Sequence, residues 1–547
     1  MKSANKIHKW LLAVLWTLLA NGAMAVPASP ASALEENVQA LNADSFAGRE
    51  KAIMKLSAQK HEGVTRLLRS LLEGDLYYRK ADGRVVLARR EGRGYAISDA
   101  VSGKELGEVG RRDVKRIAIN NRLRSLLRDE IARLSLGSPD PRIRLNSVQQ
   151  MYGELEPAGI ALLEKLKRTE RDDGVLAAIE AALALAELKS DDLDRQLDAV
   201  ERLSGSLEPA VRNELQALVA RNSDGDYVVT DRQLREAADR ALQSIETMRH
   251  MSRLVETTFF GLSLGSVLLL SAIGLAITFG VMGVINMAHG ELMMLGAYTT
   301  YLVQAAMPNH IDQSLFVAIP AAFLVAGAFG VAIERGIIRF LYGRPLETLL
   351  ATFGVSLILQ QLVRTTISAQ NVTVSNPSWM SGSLDLNPAL SLTFNRLYIL
   401  AFAILVFIGL MLILKQTALG LQVRAVAQNR AMARAMGIRS DWVDAMTFGL
   451  GSGIAGIAGV ALSQLTNVGP NMGQGYIIDS FMVVVFGGVG NLWGTLVGAF
   501  SLGVANKFLE PWAGAVLAKI LVLVLIILFI QKRPRGLFPH KGRTAEG

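Results

Sequence analysis

The stretch GVINMAHGE, Gly283 to Glu291, sets an amide, an imidazole and a carboxylate (Asn286, His289, Glu291) between two apolar runs. Polar side chains at membrane depth must face protein or water. The three therefore either line a watery opening or close a tight turn, where Glu291 gains from a helix N-terminus and His289 is able to titrate near neutrality. A second stretch echoes the first. In GGVGNLWG, Gly487 to Gly494, Asn491 follows a glycine-rich turn and precedes Gly498-Ala499, as Asn286 precedes Gly296-Ala297. Little else offers chemistry. His61 and His250 stand alone, and Asp224-Gly225-Asp226 is too short for a calcium loop. The lack of cysteine excludes disulfides, thiolate metal sites and cysteine nucleophiles. Gly103-Lys104 lacks the upstream glycine and the following hydroxyl residue of a phosphate-binding loop. No catalytic residue, metal or cofactor is expected.

The elements that must position these residues fall in two halves. Of 547 residues, 51 % are hydrophobic, but unevenly: charges are dense before Met251, and long uncharged stretches recur from Phe259 to Ile530. That pattern reads as a soluble part succeeded by a membrane part. Lys2, Lys6 and Lys9, the apolar run Trp10 to Ala20 and the small-x-small Ala23-Met24-Ala25 predict a signal peptide over 1–25, with an uncleaved anchor as the alternative. On either reading the chain beyond residue 25 is exported. The net charge of +9 does not point to nucleic acid. Much of it sits in loops and at the C-terminus, where positive charge orients membrane proteins.

In 251–547 we expect about nine spans: 259–281, 291–307, 314–334, 347–366, 397–414, 443–465, 476–490, 495–509 and 514–531. The seventh and eighth are short, and are either tilted or the halves of a broken pair. Arg335, Arg339 and Arg344 come after the third span. Lys415, Arg424, Arg430, Arg434 and Arg439 come after the fifth, and Lys532, Arg533 and Arg535 after the last. The alternate loops are poor in cations, so the amino terminus lies outside and the carboxy terminus inside. The run Gly449 to Gly459, GLGSGIAGIAG, provides small residues for close helix packing.

Residues 26–250 read as mostly helical. Ser138–Leu166 and Ser190–Leu218 align without a gap at an offset of 52, sharing the Leu-Glu-Pro-Ala block at 155–158 and 207–210. Helix, glycine break, proline at a helix start and helix make a hairpin repeat. It resembles HEAT-type α-solenoids, with a long period. Asp82-Gly83 between β-prone runs adds a small β-hairpin. Such a domain offers a binding surface, or serves as a spacer. The fold class is thus all-α: a polytopic membrane domain preceded by a HEAT-like repeat domain with a β-hairpin insertion.

Three motifs bring in a family. GLSLGSVLLLSAIGLAITFGVMGVINMAHGELMMLGAY (261–298), LGLQVRAVAQNRAMARAMGI (419–438) and FGGVGNLWGTLVGA (486–499) resemble the permease subunits of the branched-chain amino acid and urea branch of ABC importers, over 257–540. The resemblance implies an inner-membrane machine. Its partners are a periplasmic binding protein, a second homologous permease subunit and two cytoplasmic ABC ATPases, since this chain has no Walker A motif. The long exported extension resembles the urea-type permease, so urea or a short amide is the expected cargo. The alternatives are branched-chain amino acids and, in another class, an ATP-independent channel. A sensor or enzyme on a membrane anchor would need a constellation in 26–250 that is not found.

The resemblance also places an ATPase-coupling segment at Gly420 to Gly437, with Arg424, Asn429, Arg430 and Arg434 and apolar Leu421, Val423, Val426 and Met436 set to enter a partner's groove. A basic helix lying on lipid is the other reading. Asn286, His289, Glu291 and Asn491 become candidates for an inner-mouth gate, an ATPase contact or plain turns. A path for urea needs amides and hydroxyls, and Thr278, Thr352, Gln360, Gln361, Gln464, Asn467, Asp479 and Ser480 supply them. The exported domain is expected to dock the binding protein.

Overall fold

The computed structural model describes residues 30–538 except 44, 60–61, 92–93, 153–154 and 156. The expected signal peptide lies outside the described residues. The chain divides into two compact units, Met1–Ser244 and Ile245–Gly547.

The first unit opens with α1 (Pro30–Gln39), α2 (Phe46–Ser57) and α3 (Glu62–Glu73). Five strands come next: β1 (Leu76–Arg79), β2 (Val85–Glu91), β3 (Gly94–Asp99), β4 (Glu105–Val109) and β5 (Val114–Arg116). They form one antiparallel sheet in the order β4-β3-β2-β1-β5. The expected hairpin is there, pairing Tyr78 with Val85 around Gly83, whose φ is 69°. The insertion is nonetheless a whole sheet and not a hairpin. Val85 packs with Leu76 and Ile117 against the helices, whereas Val86 and Ala88 pack with Ile97 and Val114 on the opposite face. Successive residues of β2 are thus buried on both faces, which two strands alone cannot cover.

Beyond α4 (Asn121–Leu136), the repeat appears as α5 (Pro141–Gln150) with α6 (Pro157–Lys167), and α8 (Leu193–Leu203) with α9 (Pro209–Leu218). Between the pairs lies α7 (Asp173–Glu187), and all four helices pack against it. Alanine dominates α7, and Ala178, Ile179, Ala182, Ala184 and Leu185 are among its buried residues. Its thin profile lets neighbours close from several sides. The long period therefore holds three helices, not the two of a hairpin.

One capping device recurs at three helix starts. Asp140, Asp192 and Asp231 accept backbone N–H bonds from Arg142, Asp194 and Leu234 at 2.9, 3.0 and 2.8 Å. Four residues on, a long side chain turns back to the preceding loop. Arg144 donates to the Ser138 carbonyl at 2.8 Å, Gln196 to that of Ser190 at 2.7 Å and Arg235 to that of Val229 at 2.6 Å. Cap and clasp together satisfy donors and acceptors that a bare helix start leaves open.

The second unit contains α10 (Arg232–Met282), α11 (His289–Ala306), α12 (Ile311–Gly336), α13 (Pro345–Thr366), α14 (Phe394–Gln416), α15 (Ala418–Gln428), α16 (Arg430–Ala435), α17 (Ser440–Ser463), α18 (Met472–Gly487) and α19 (Leu492–Lys532), with α10 beginning in the first unit. A hairpin, β6 (Ser383–Asn387) and β7 (Leu390–Thr393), precedes α14. Six of these helices are long and apolar enough to cross a membrane: α10, α12, α13, α14, α17 and α19. They contain seven of the nine expected spans, the first, the third to the sixth and the last two. The last two expected spans are one run, α19, broken at Gly514. The seventh, α18, has only 16 residues. The second, α11, is largely buried among other helices and includes Thr299, Thr300 and Gln304. A helix shielded by protein has no need of a lipid-like composition.

The centre of this unit is α17, which packs against both α11 and α12 and is buried along nearly all of its length. A methyl group on Gly459 would strike the Met293 carbonyl of α11, and one on Gly296 would strike the backbone of Gly456. The two backbones touch directly, as small residues permit.

Gly459→Val should destabilise the membrane domain by about 1–3 kcal/mol or more, because the obstacle is backbone; its thermal midpoint in detergent should fall well below that of the wild type. In the first unit, the Arg144 guanidinium holds the Glu170 carboxyl down, from 4.5 to about 2. A carboxylate with a depressed folded pKa adds stability above its ordinary pKa and loses it as pH falls toward the folded value. Hydrogen exchange of α5 and α7 in the full chain should therefore accelerate as pH falls from about 4.5 toward 2, after correction for intrinsic rates, and Glu170→Gln should flatten that dependence.

Candidate functional site

The opening stretch takes shape from its first residue. Gly283, with φ 68°, ends α10, and its N–H bonds the Phe279 carbonyl at 3.0 Å. A side chain there would oppose this left-handed backbone. The Asn286 Oδ1 accepts from the Ala288 N–H at 3.0 Å, turning the chain into α11. Asn491 does the same at the start of α19, accepting from Trp493 N–H at 3.0 Å. The echo between the two stretches is thus one of local geometry. Asn491 also donates to the Phe538 carbonyl at 3.3 Å.

Long-range bonds then fix the stretch to α10 and α13, and Ser271 of α10 reaches on to α18. His289 Nε2 lies 2.9 Å from the Ser271 carbonyl of α10. A carbonyl only accepts, so Nε2 carries the proton and Nδ1 is an acceptor. Ser271 Oγ bonds Met293 Sδ at 3.0 Å and also contacts Ser480 Oγ of α18. Gln360 of α13 donates to Glu291 Oε1 at 2.7 Å. The Met287 N–H donates to Thr352 Oγ1 at 3.1 Å. Asn286, His289 and Glu291 are at most 1 % exposed. Each still has one buried polar atom without a partner among the described residues: Asn286 Nδ2, His289 Nδ1 and Glu291 Oε2.

The cluster is buried within the helix bundle. Ser271 precedes the end of α10 by eleven residues and Gln360 lies fifteen beyond the start of α13, which at 1.5 Å per residue is about 16 and 22 Å along the helices. The chain from 283 to 288 climbs back from the end of α10 in a non-helical conformation before α11 begins.

Of the other residues singled out, Thr352 and Gln360 join the cluster. Thr278 bonds carbonyls of its own helix, those of Gly274 and Leu275. Gln464 is buried at the end of α17, and its Oε1 has no partner among the described residues. Asp479 pairs with Lys519 at 3.0 Å. Lys519 escaped notice, although it is the only charge between Glu510 and Lys532. Among the described residues no group of acidic or histidine side chains could hold a metal ion.

The segment Gly420 to Gly437 folds as α15 and α16. Asn429 caps α16 by accepting from Met432 N–H at 3.0 Å, and Gly437, with φ 88°, lies just past its end. A methyl group on Gly420 would meet the Leu414 backbone. Arg430 turns inward, whereas Arg424 and Arg434 stay exposed while bonding to neighbouring groups. Arg430 grips both oxygens of Asp444 at 2.5 Å and stacks 3.9 Å over Tyr342. Arg434 donates to Ser440 Oγ at 2.5 Å and Asp441 at 3.0 Å, and Arg424 bonds the Leu414 carbonyl. Val423 and Val426 are buried. Beside Arg424 and Arg434 the outward surface carries apolar groups: Leu421, Met432 and Met436 are 62, 61 and 78 % exposed. The signal for the inward Arg430 was Asp444, one turn into the next helix.

Known proteins share this architecture's sequence. A family described as the permease component of the branched-chain amino acid transport system matches residues 257–530. The high-affinity branched-chain amino acid transport system permease protein LivH of Salmonella typhimurium is 32 % identical, over 52 % of this chain and 94 % of that protein. BraD of Pseudomonas aeruginosa, with the same description, is 30 % identical over 51 % of this chain and 93 % of that protein. The ribose import permease protein RbsC of Escherichia coli K12 is 27 % identical over 49 % and 83 %. No solved structure matches the chain.

Asp444→Asn leaves the Arg430 charge, 19 % exposed, without its anion, a loss of about 3–5 kcal/mol for such a buried pair. Trypsin should then cleave within 418–438 at least tenfold faster, and Arg430→Met/Asp444→Asn, which removes both charges, should be cut more slowly than the single variant.

Proposed function

Because the chain belongs to the family of branched-chain amino acid transport system permease components, multi-pass importer subunits and not catalysts, we propose that its cargo is a branched-chain amino acid. The observation that carries this reading is the match over 257–530, together with relatives whose names specify branched-chain amino acids. The expectation of urea or a short amide rested on the long extension. Those residues lie outside the matched region and speak to no particular cargo.

The machine proposed is an ATP-driven importer: this chain, a second homologous permease subunit, two cytoplasmic ATPases and a periplasmic binding protein. Topology is argued from charge. If α11, α18 and both halves of α19 count as crossings, then Arg339 and Arg344, the segment 415–439, and Arg533 and Arg535 share one side, which is the cytoplasm. The N-terminal unit is then periplasmic, where it docks the loaded binding protein. Leu421, Met432 and Met436 form the apolar surface that meets an ATPase, with the arginines holding that surface in place. The cluster around His289 and Glu291 acts as a packed hinge between helices whose positions change in transport.

The test is uptake of labelled leucine and labelled urea by cells with and without this chain, companions present, ATP supplied or depleted. ATP-dependent leucine uptake lost with the chain is the expected result. Urea uptake in its place would overturn the cargo, and uptake that persists without ATP would overturn the machine. Met436→Asp should lower leucine uptake at least tenfold while the chain still inserts.

A further inference from the structure

Lys519 lies inside an apolar run, five residues beyond the break at Gly514 and thirteen before Lys532. At 1.5 Å per residue it is about 7.5 and 20 Å from the two ends of that half-helix. Its side chain is 48 % exposed, and its ammonium meets a single carboxylate, Asp479 Oδ2, at 3.0 Å. The Tyr476 ring lies 5.9 Å away. A half-exposed ammonium at this depth is costly against hydrocarbon, so such a group faces protein or a water-filled cavity. The pair also has capacity left. An ammonium has three N–H donors and a carboxylate two oxygens, and among the described residues only one hydrogen bond, Lys519 Nζ to Asp479 Oδ2, engages them. Beside the pair runs an aliphatic stripe. Val516 and Leu523 share the face of Lys519 at helical spacing and are 73 and 37 % exposed.

We propose that Asp479 and Lys519 bind the head of a zwitterionic α-amino acid in transit, Lys519 taking its carboxylate and Asp479 its ammonium, with its aliphatic side chain lying along Val516 and Leu523. An α-amino acid carries both charges on groups attached to one carbon, so it can bridge the two side chains and leave the site neutral. Urea hydrogen-bonds to either group but carries no charge to complement the pair. The inference rests on the amino-acid cargo proposed above.

The experiment is labelled-leucine uptake by proteoliposomes of the full importer with Lys519→Met, Asp479→Asn and the double variant. All three are expected to fall at least tenfold with unchanged amounts of inserted chain. A double variant that recovers wild-type uptake would show that the charges only neutralise one another, and would overturn the site. A second measurement uses the lack of cysteine in this chain. Lys519→Cys should be modified by a charged, water-borne methanethiosulfonate, read as a mass shift of this chain, whereas no modification would mean that the position faces lipid and would also overturn the site. Wild-type liposomes that take up urea and not leucine would remove the cargo reading instead. Leucine uptake by both wild type and double variant would remove the site alone.

Discussion

The membrane unit depends on contact between bare backbones. Where α11 crosses α17, and again where Gly290 meets Gly473 at the starts of α11 and α18, no side chain separates the two main chains. Gly274 on α10 meets Gly451 on α17 in the same way. Without a hydrophobic drive between helices in lipid, association relies on van der Waals packing and interhelical hydrogen bonds. Close approach supplies the first and makes the second possible. His289 reaches a carbonyl of α10 across Gly274, where an added methyl group would strike the imidazole ring. Bulk at these crossings would part the helices and leave the polar side chains of 286–291 without partners.

The same economy governs the segment between α14 and α17. Positive charges near a membrane surface are readily taken as contacts for another molecule. Here Arg430 and Arg434 grip Asp444, Ser440 and Asp441, so their charge organises a loop. Leu421, Met432 and Met436 are exposed beside Arg424 and Arg434, and their flexible or aliphatic surfaces suit a groove. Sequence alone puts both kinds of residue in one segment. Which arginine is drawn inward depends on Asp444 of the next helix.

Much of the architecture was legible from pattern. The glycine run at 449–459 announced close packing, and the apolar runs located most of the membrane helices. The repeat was found by self-alignment, and Asp82-Gly83 marked a real turn. The features that escaped had physical causes. Strands such as Glu105–Val109 carry too few apolar residues to read as sheet. The helix between the two repeat copies lay outside the aligned residues. Partners such as Ser271 with His289, or Gln360 with Glu291, are separated by 18 and 69 residues, and nothing local announces them. Lys519 was readable as a lone charge in an apolar run, but its meaning came from Asp479 standing opposite.

The repeated clasp of the first unit bears on how the chain reaches this structure. Asp140 with Arg144, Asp192 with Gln196 and Asp231 with Arg235 each close a helix start using bonds that span no more than six residues to their nearest loop carbonyl. Contacts so local close quickly, because little chain entropy is lost in forming them. A polypeptide emerging from its amino end can therefore set each helix start as soon as that short stretch is free, without waiting for the helices that later pack against it.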